Sequence, residues 1–526
     1  MNPGQSKFSW LPDLVFVLML ALLPAHHFFA FFGHAGYDDM EYARLAAGIA
    51  SGNWTFGENH YAYRIGLTAP TALFYKLFGI HDWTTGLWSM LCSGAILWGI
   101  RLESRRWSIV SKSLALIFAG ATFWLLYYAD KLLPDMPLAC WIFFSLILIR
   151  RRHVLRWAGA AFAFCVLAGM LTKGMILFLI PVWMWFLLTD MRRGESLRFW
   201  MIAGVCLIIP VLLSWGWWMD RAAAIELARY PGSCSYELLP AAATWRRIGY
   251  EFWMMLLKSG AGLLLLIVLI GWKKRLAFWA GVAAITVLVA NFGSWRLDHY
   301  VPMCPDIRHY LWLIPPLSLS AAAVLPAILQ SGFRKRGWML AAAIVLVLAS
   351  GSIWTDYLVL IGAATVLLIS PWLPAFNRKV LVLAALVAGV WLVRPIYSFG
   401  PGTSRPYRQS QFLVQRFAAS EQEGLVVLHT DPVTANVGPY WLDFDSSKVR
   451  FQAIPSEPVP EASNYLFRSS RGEELAKVNY EADWLSEQYS GTHASFKLKG
   501  SAKLWRLEDD QATASPIISV DSTELE

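Results

Sequence analysis

Long apolar runs recur through the chain, and they constrain its fold more than any motif does. A helix needs about 20 mostly apolar residues to cross a bilayer, and a soluble core cannot hide run after run of that kind. The runs are Leu11–Phe32, Trp83–Ile100, Ile109–Tyr128, Met136–Ile149, Trp157–Thr172, Met175–Leu188, Phe199–Met219, Phe252–Trp272, Ala277–Gly293, Tyr310–Leu329, Trp338–Trp354, Tyr357–Leu373 and Val380–Val393. They predict a mainly α, polytopic membrane protein of about thirteen transmembrane helices, the shorter runs extending into their flanks. Composition agrees: 57% hydrophobic against 15% charged, with 28 Trp and a mean hydropathy of +0.45. Leu11–Phe32 lacks a small-residue cleavage site and is expected to stay as the first helix rather than leave as a signal peptide.

Loop charges give an independent reading of topology. Every second loop is basic: Arg101, Arg105 and Arg106; Arg150–Arg152; Arg192 and Arg193; Lys273–Arg275; Arg334–Arg336; Arg378 and Lys379. By the positive-inside rule these loops are cytoplasmic, as is the N-terminus, and the intervening loops face outward. The net charge of +9 is thereby spread over short clusters, which excludes a nucleic-acid partner.

The outward stretches carry the candidate chemistry. The first, Gly33 to Trp54, holds the adjacent carboxylates Asp38 and Asp39, followed by an apolar stripe of Met40, Tyr42, Ala43, Leu45, Ala46, Ile49 and Ala50 at helical spacing. Ionisable groups beside a membrane segment are costly and point to function. The alternative is that the aspartates cap the helix that follows. Arg64 is suited to a phosphate, since a guanidinium binds its oxygens bidentately, or is a snorkelling interface residue. Asp135, Lys173 and Arg308 fall on the same side, and Asp135 has Lys131 as a nearer potential partner. His299 and His309 flank an outer loop, where lone histidines are seldom ligands. No Gly-rich phosphate loop and no zinc-type Cys or His spacing occurs, and no cofactor is expected.

Residues 1–397 thus read as the membrane domain and 398–526 as an extracytoplasmic α/β domain. "YRQSQFLVQRFAAS" has a helical period, "GLVVLHTD" reads as a buried strand, and "VRFQAI", "NYLFRS" and "AKLWRLED" as further strands. The tail from about residue 510 has no packing pattern and is expected to be disordered. Of six cysteines, Cys234 and Cys304 alone fall in outer loops, where they either form a disulfide or stay free.

The order of these features resembles the GT-C class of membrane glycosyltransferases, in the superfamily of protein O-mannosyltransferases and aminoarabinose transferases. Asp38, Asp39, Tyr42 and Ala43 match a D-[DE]-x-x-Y-A motif after the first helix, and Gly52, Asn53 and Trp54 match the turn that tends to follow. "YRIGLTAP", with Arg64 and Pro70, matches an aromatic-basic-x-x-L-x-x-P segment. "LLPDMPL" with Asp135, "LTKG" with Lys173 and "RHYLWLIPP" with Arg308 are weaker matches. Aminoarabinose transferases carry a glutamate where this chain has Tyr63, at a position implicated in metal binding, so no metal is carried over.

The resemblance implies an inverting glycosyltransferase of the plasma (inner) membrane, using a polyprenyl-phosphate-linked sugar donor and an acceptor that is a lipid, an envelope glycan or a protein. Asp38 and Asp39 would be catalytic, with Tyr42, Arg64, Asp135, Lys173 and Arg308 binding substrate. The competing readings are a transporter or flippase for lipid-linked sugars, which should place its charges within the spans, and a non-catalytic scaffold of envelope assembly.

Overall fold

The computed structural model describes residues 9–31, 33–53, 60–227, 264–265, 268, 277–292, 307–330, 401–419, 424–453, 462–469, 502–506 and 518–520. The helices, in chain order, are α1 (Leu11–Ala30), α2 (Asp38–Ser51), α3 (Ile65–Phe78), α4 (Asp82–Ser104), α5 (Ile109–Gly120), α6 (Phe123–Ala129), α7 (Asp135–Arg150), α8 (Ala158–Thr172), α9 (Ile180–Arg193), α10 (Leu197–Leu213), α11 (Trp215–Leu227), α12 (Ala277–Phe292), α13 (Ile314–Gln330), α14 (Pro401–Ala419) and α15 (Pro432–Trp441). Short 3₁₀ turns cover His60–Tyr63, Gly174–Leu179 and Ile307–Leu313. The chain divides into two compact units.

The first unit comprises Met1–His26, Thr55–Leu67 and Gly86–Ile396. Its core is a continuous apolar cluster from α1, α4, α5, α7, α12 and α13, with Leu97, Leu116, Phe143, Ile176 and Leu317 fully enclosed. Among the described residues, Leu11–Ala30 and Gly174–Arg193 are long and apolar enough to cross a membrane alone, and Leu197–Leu213 with Trp215–Ala223 form a third such stretch bent by 74°. Pro210, inside α10, has no N–H for the helical ladder, and at the break the Ser214 hydroxyl donates to the Pro210 carbonyl at 2.7 Å. The run Ile109–Tyr128, expected as one span, is instead α5 and α6. At their junction the Thr122 hydroxyl takes the Phe118 carbonyl at 2.5 Å, a local bond that competes with the helical ladder. The expected spans Trp338–Trp354, Tyr357–Leu373 and Val380–Val393, most of Phe252–Trp272, and Cys234, His299 and Cys304 lie outside the described residues.

The second unit takes His27–Trp54 and Thr68–Thr85 together with Tyr397–Glu526. Its sheet has the order β2-β1-β3-β4-β5, from Val449–Ala453, Val426–Thr430, Ser463–Ser469, Ala502–Arg506 and Ile518–Val520. β1 runs parallel to β2 and β3, and β4 is antiparallel to β3 and β5. All five residues of β1 are buried, as a parallel strand covered on both faces requires. The helix α15 makes the β1-to-β2 crossover, started by Asp431, whose carboxylate accepts the Thr434 N–H at 2.8 Å, and by Pro432 in the first turn. Ile518–Val520 belong to the stretch expected to lack structure, yet they pair with β4, whose ladder groups need a partner.

Within this unit the C-terminal helices fasten the acidic stretch. Arg408 donates to the Phe28 carbonyl at 2.9 Å, and Asn436 donates to the Gly36 carbonyl at 2.9 Å. Gly36 has φ +81°, and a Cβ there would stand 2.9 Å from the Val433 carbonyl oxygen and 3.2 Å from Val437. Gly52 closes α2 with φ +77°, and its N–H and that of Asn53 return to Ile49 and Gly48, but no atom lies within 4 Å of a Cβ added there. Gly36→Ala should therefore cost more than the roughly 1 kcal/mol of the left-handed conformation that Gly52→Ala incurs. Thermal unfolding of the two detergent-purified variants checks this, and equal melting temperatures would contradict the tight seat of α15 on the loop.

Candidate active site

The loop between α1 and α2 is built around Asp39. This side chain is buried, and its carboxylate accepts three backbone N–H groups: Ala35 at 2.6 Å, Tyr37 at 2.9 Å and Met40 at 3.1 Å. Two of the three donors precede the helix, so the carboxylate folds the loop back on itself more than it caps α2. Asp38, the first residue of α2, is half-buried beside it. Tyr42, one turn on, is fully buried in the same unit.

His34 stands behind Asp39 and is wholly buried. Its Nδ1 lies 3.6 Å from Asp39 Oδ2 and its Nε2 3.3 Å from Asp82 Oδ1. The Tyr407 hydroxyl donates to the same Asp82 oxygen at 3.0 Å. The rings of Phe31, Tyr440 and Tyr407 meet the imidazole edge-on, at centroid distances of 5.4, 4.7 and 6.1 Å. Burial by itself would depress the imidazole, but the Asp39 and Asp82 carboxylates outweigh it and hold His34 above its ordinary value. Burial likewise opposes ionisation of Asp39, and the His34 cation with the Ala35 and Tyr37 N–H groups holds that carboxyl below its ordinary value. A hydroxyl chain flanks this group: Thr85 Oγ1 lies 2.8 Å from both the Tyr75 and the Tyr440 oxygens.

The remaining expected residues lie together in the first unit. Lys173, where α8 passes into the 3₁₀ turn, donates to Asp135 Oδ1 at 2.7 Å, and both side chains are largely buried. Among the described residues Asp135 Oδ2 receives no hydrogen bond. Asp135 is thus paired with Lys173, whereas Lys131, the nearer partner in sequence, meets Asp130 at 3.4 Å. The charges of Lys173, His309 and Arg308 act on Asp135, and those of Arg308 and Arg64 act on Lys173. The guanidinium of Arg64 lies 5.5 Å from the Tyr61 ring centre. Arg221, which the sequence did not single out, adds charge near Arg64, stacks on Trp217 and Trp218 at 5.7 and 5.1 Å, and donates to the Met170 carbonyl. Lys173, Arg308 and Arg64 repel one another, an arrangement that an anion would relieve.

One grouping among the described residues has metal-ligand spacing: His153, Asp190 and Glu195, with ligand atoms within 4.8 Å of one another. Its central carboxylate is already engaged by Arg152 at 2.5 and 2.6 Å and by Trp200 at 2.8 Å, which marks it as a structural ion pair. Sequence reasoning missed His34, Asp82 and Tyr407. His34 was within reach, being in the same short stretch as the acidic pair, but Asp82 and Tyr407 are 325 residues apart and carry no local signal of their meeting.

The buried Lys173–Asp135 pair yields a stability prediction. Lys173→Met leaves the Asp135 carboxylate without its hydrogen-bonded cation and should cost about 3 kcal/mol, much of which the double change with Asp135→Asn should return. Thermal unfolding in detergent measures both; a single variant as stable as the parent protein would contradict the pairing.

No protein-family model matches this sequence, and neither does any curated protein. Solved structures do. The crystal structure of ArnT from Cupriavidus metallidurans bound to undecaprenyl phosphate aligns at a TM-score of 0.57 and 17% identity, covering 90% of this chain and 95% of that one. The apo structure of the same protein aligns at 0.52 and 16%, covering 90% and 93%. The resemblance read from the acidic pair and its neighbours therefore extends to the fold: this chain shares the mainly helical fold of ArnT.

Proposed function

We propose that the protein is an inner-membrane glycosyltransferase that moves a sugar from a polyprenyl-phosphate donor to a hydroxyl of a lipid, envelope-glycan or protein acceptor on the outer face of that membrane. The observation that carries this reading is the shared fold over nine-tenths of the chain with an enzyme crystallised on undecaprenyl phosphate, together with the cation-rich surroundings of Asp135 and Lys173. The localisation and the outward orientation rest on the same likeness and on the loop charges.

In this reading Asp38 is the base. It takes the proton of the acceptor hydroxyl as the acceptor oxygen bonds to the anomeric carbon, while the C–O bond to phosphate breaks through an oxocarbenium-like transition state and the configuration inverts. The polyprenyl phosphate leaves with the bonding electron pair. Arg64, Lys173 and Arg308 bind its oxygens and stabilise the charge that develops on them. A phosphate monoester is a good leaving group, so no second carboxylic acid is needed to protonate it. Asp135 holds Lys173, and its second oxygen is suited to accept a sugar hydroxyl. Asp39 holds the loop that presents Asp38, and Tyr42 anchors the helix behind it.

Asp38→Asn separates the readings. With membranes supplied with labelled undecaprenyl-phosphate hexoses and pentoses and the products fractionated, transfer should fall by about 10²–10⁴-fold while the melting temperature is retained. A transporter would move the labelled lipid without making a product, and a scaffold would be indifferent to the change. Transfer at the parent rate would sink the assignment of Asp38.

A further inference from the structure

We infer that His34 is a positioning residue: as a buried imidazolium between Asp39 and Asp82 it keeps the Ala35–Asp39 backbone, and with it Asp38, in its reactive place. The inference rests on the functional reading above only for the role of Asp38; the clamp itself is geometry. The imidazole sits at ion-pair distance from both carboxylates, and Asp39 carries the hydrogen bonds to the loop. His34 meets Asp39 at 3.6 Å and Asp82 at 3.3 Å, and Asp39 in turn holds the Ala35 and Tyr37 N–H groups at 2.6 and 2.9 Å. Tyr407 fixes Asp82 from the other side at 3.0 Å. Asp38 adjoins Asp39 in the chain, so a loop that loses these bonds carries the base with it, and displacement of about 1 Å at a reacting group is enough to cost 10²-fold in rate.

The charge on the imidazole matters because of what surrounds it. The titratable groups facing it are Asp39 from α2, Asp82 from α4, Tyr407 from α14 and Tyr440 from α15, with His27 of α1 acting on Asp82. A neutral ring would leave two buried carboxylates confronting each other with no cation between them, a costly arrangement. The sign follows. His34 is held above its ordinary value, so its contribution is complete below about pH 6.5 and is lost as the pH rises through its folded value. Asp39 is held below its ordinary value of about 3.9, so it stays ionised across that range and loses its contribution only in strong acid. The clamp is therefore weakened by alkali and not by mild acid.

The test uses the full chain in nanodiscs with two readouts. Amide hydrogen exchange at Ala35 and Tyr37, corrected for intrinsic rates, needs no substrate; it should quicken as the pH rises from 6 to 9 in the parent protein and be fast at every pH in His34→Gln. Transfer from the undecaprenyl-phosphate sugar accepted in the assay above should show kcat reduced about 10-fold or more in His34→Gln with KM for the donor within about twofold, since the loop and not the phosphate site is disturbed. His34→Lys, which keeps a cation at high pH, should recover part of kcat and flatten the alkaline limb. Exchange that is independent of pH in the parent protein, or a His34→Gln enzyme with the parent's kcat and pH profile, would overturn the inference while leaving the glycosyltransferase reading intact. PH-dependent exchange in a parent protein that transfers no sugar would overturn that reading, and with it the catalytic meaning of the clamp, while the clamp's geometry stood.

Discussion

A histidine buried between two carboxylates organises the second unit of this protein. Taking three ionisable groups out of water is expensive, and an apolar cluster of the same volume would serve stability as well or better. What the charged group supplies is direction. Asp39 reaches three backbone N–H groups, Asp82 reaches His34 and Tyr407, and the imidazole joins the two carboxylates. An apolar side chain in place of His34 would fill the space without fixing the path of the Gly33–Tyr37 loop. The loop is held from its far side by Asn436 and by the close approach of Val433 to Gly36, so its backbone is defined by side chains from α4, α14 and α15 at once.

The first unit solves a different problem with the same physics. Lys173 and Asp135 satisfy each other in a largely buried place, and Arg64 and Arg308 bring further positive charge to bear on Lys173. The pair alone is balanced, and the added arginines leave the group net positive. A surplus of one sign in a partly dehydrated place is a cost to the protein that an anion of suitable geometry offsets, and the planar guanidinium fork matches phosphate oxygens bidentately. The two acidic residues on which the functional reading turns thus have distinct settings: Asp39 is enclosed and fully hydrogen-bonded, while Asp38 is half-buried at the helix start.

Much of this was legible in the sequence. The apolar spacing after the acidic pair marks α2, and Met40, Tyr42, Ala43 and Ala46 are its buried face, with Glu41 and Arg44 paired on the other side at 2.6 Å. The strand-like segments near Val426, Val449, Ser463 and Ala502 coincide with β1 to β4 because their apolar and β-branched composition is local information. Their edge partner, Ile518–Val520, was not legible, since three residues are too few to show a period. The break between α5 and α6 and the bend between α10 and α11 were missed for the opposite reason: hydropathy measures how long a run is and is blind to the backbone breaks within it. His34 shares the short stretch of Asp39, but its other partners, Asp82 and Tyr407, come from segments far apart in the chain and carry no local sign of their meeting.

The charge state of His34 is the most direct test of this account. Histidine ¹⁵N spectra of the full chain in nanodiscs, with the His34 signal assigned by its absence in a His34→Gln sample, report whether both ring nitrogens carry protons. A doubly protonated ring at pH 7, where an ordinary imidazole is mostly neutral, that loses its proton only at higher pH and becomes neutral at pH 7 in Asp82→Asn, is the result predicted. A His34 ring that is neutral at pH 6 would contradict it.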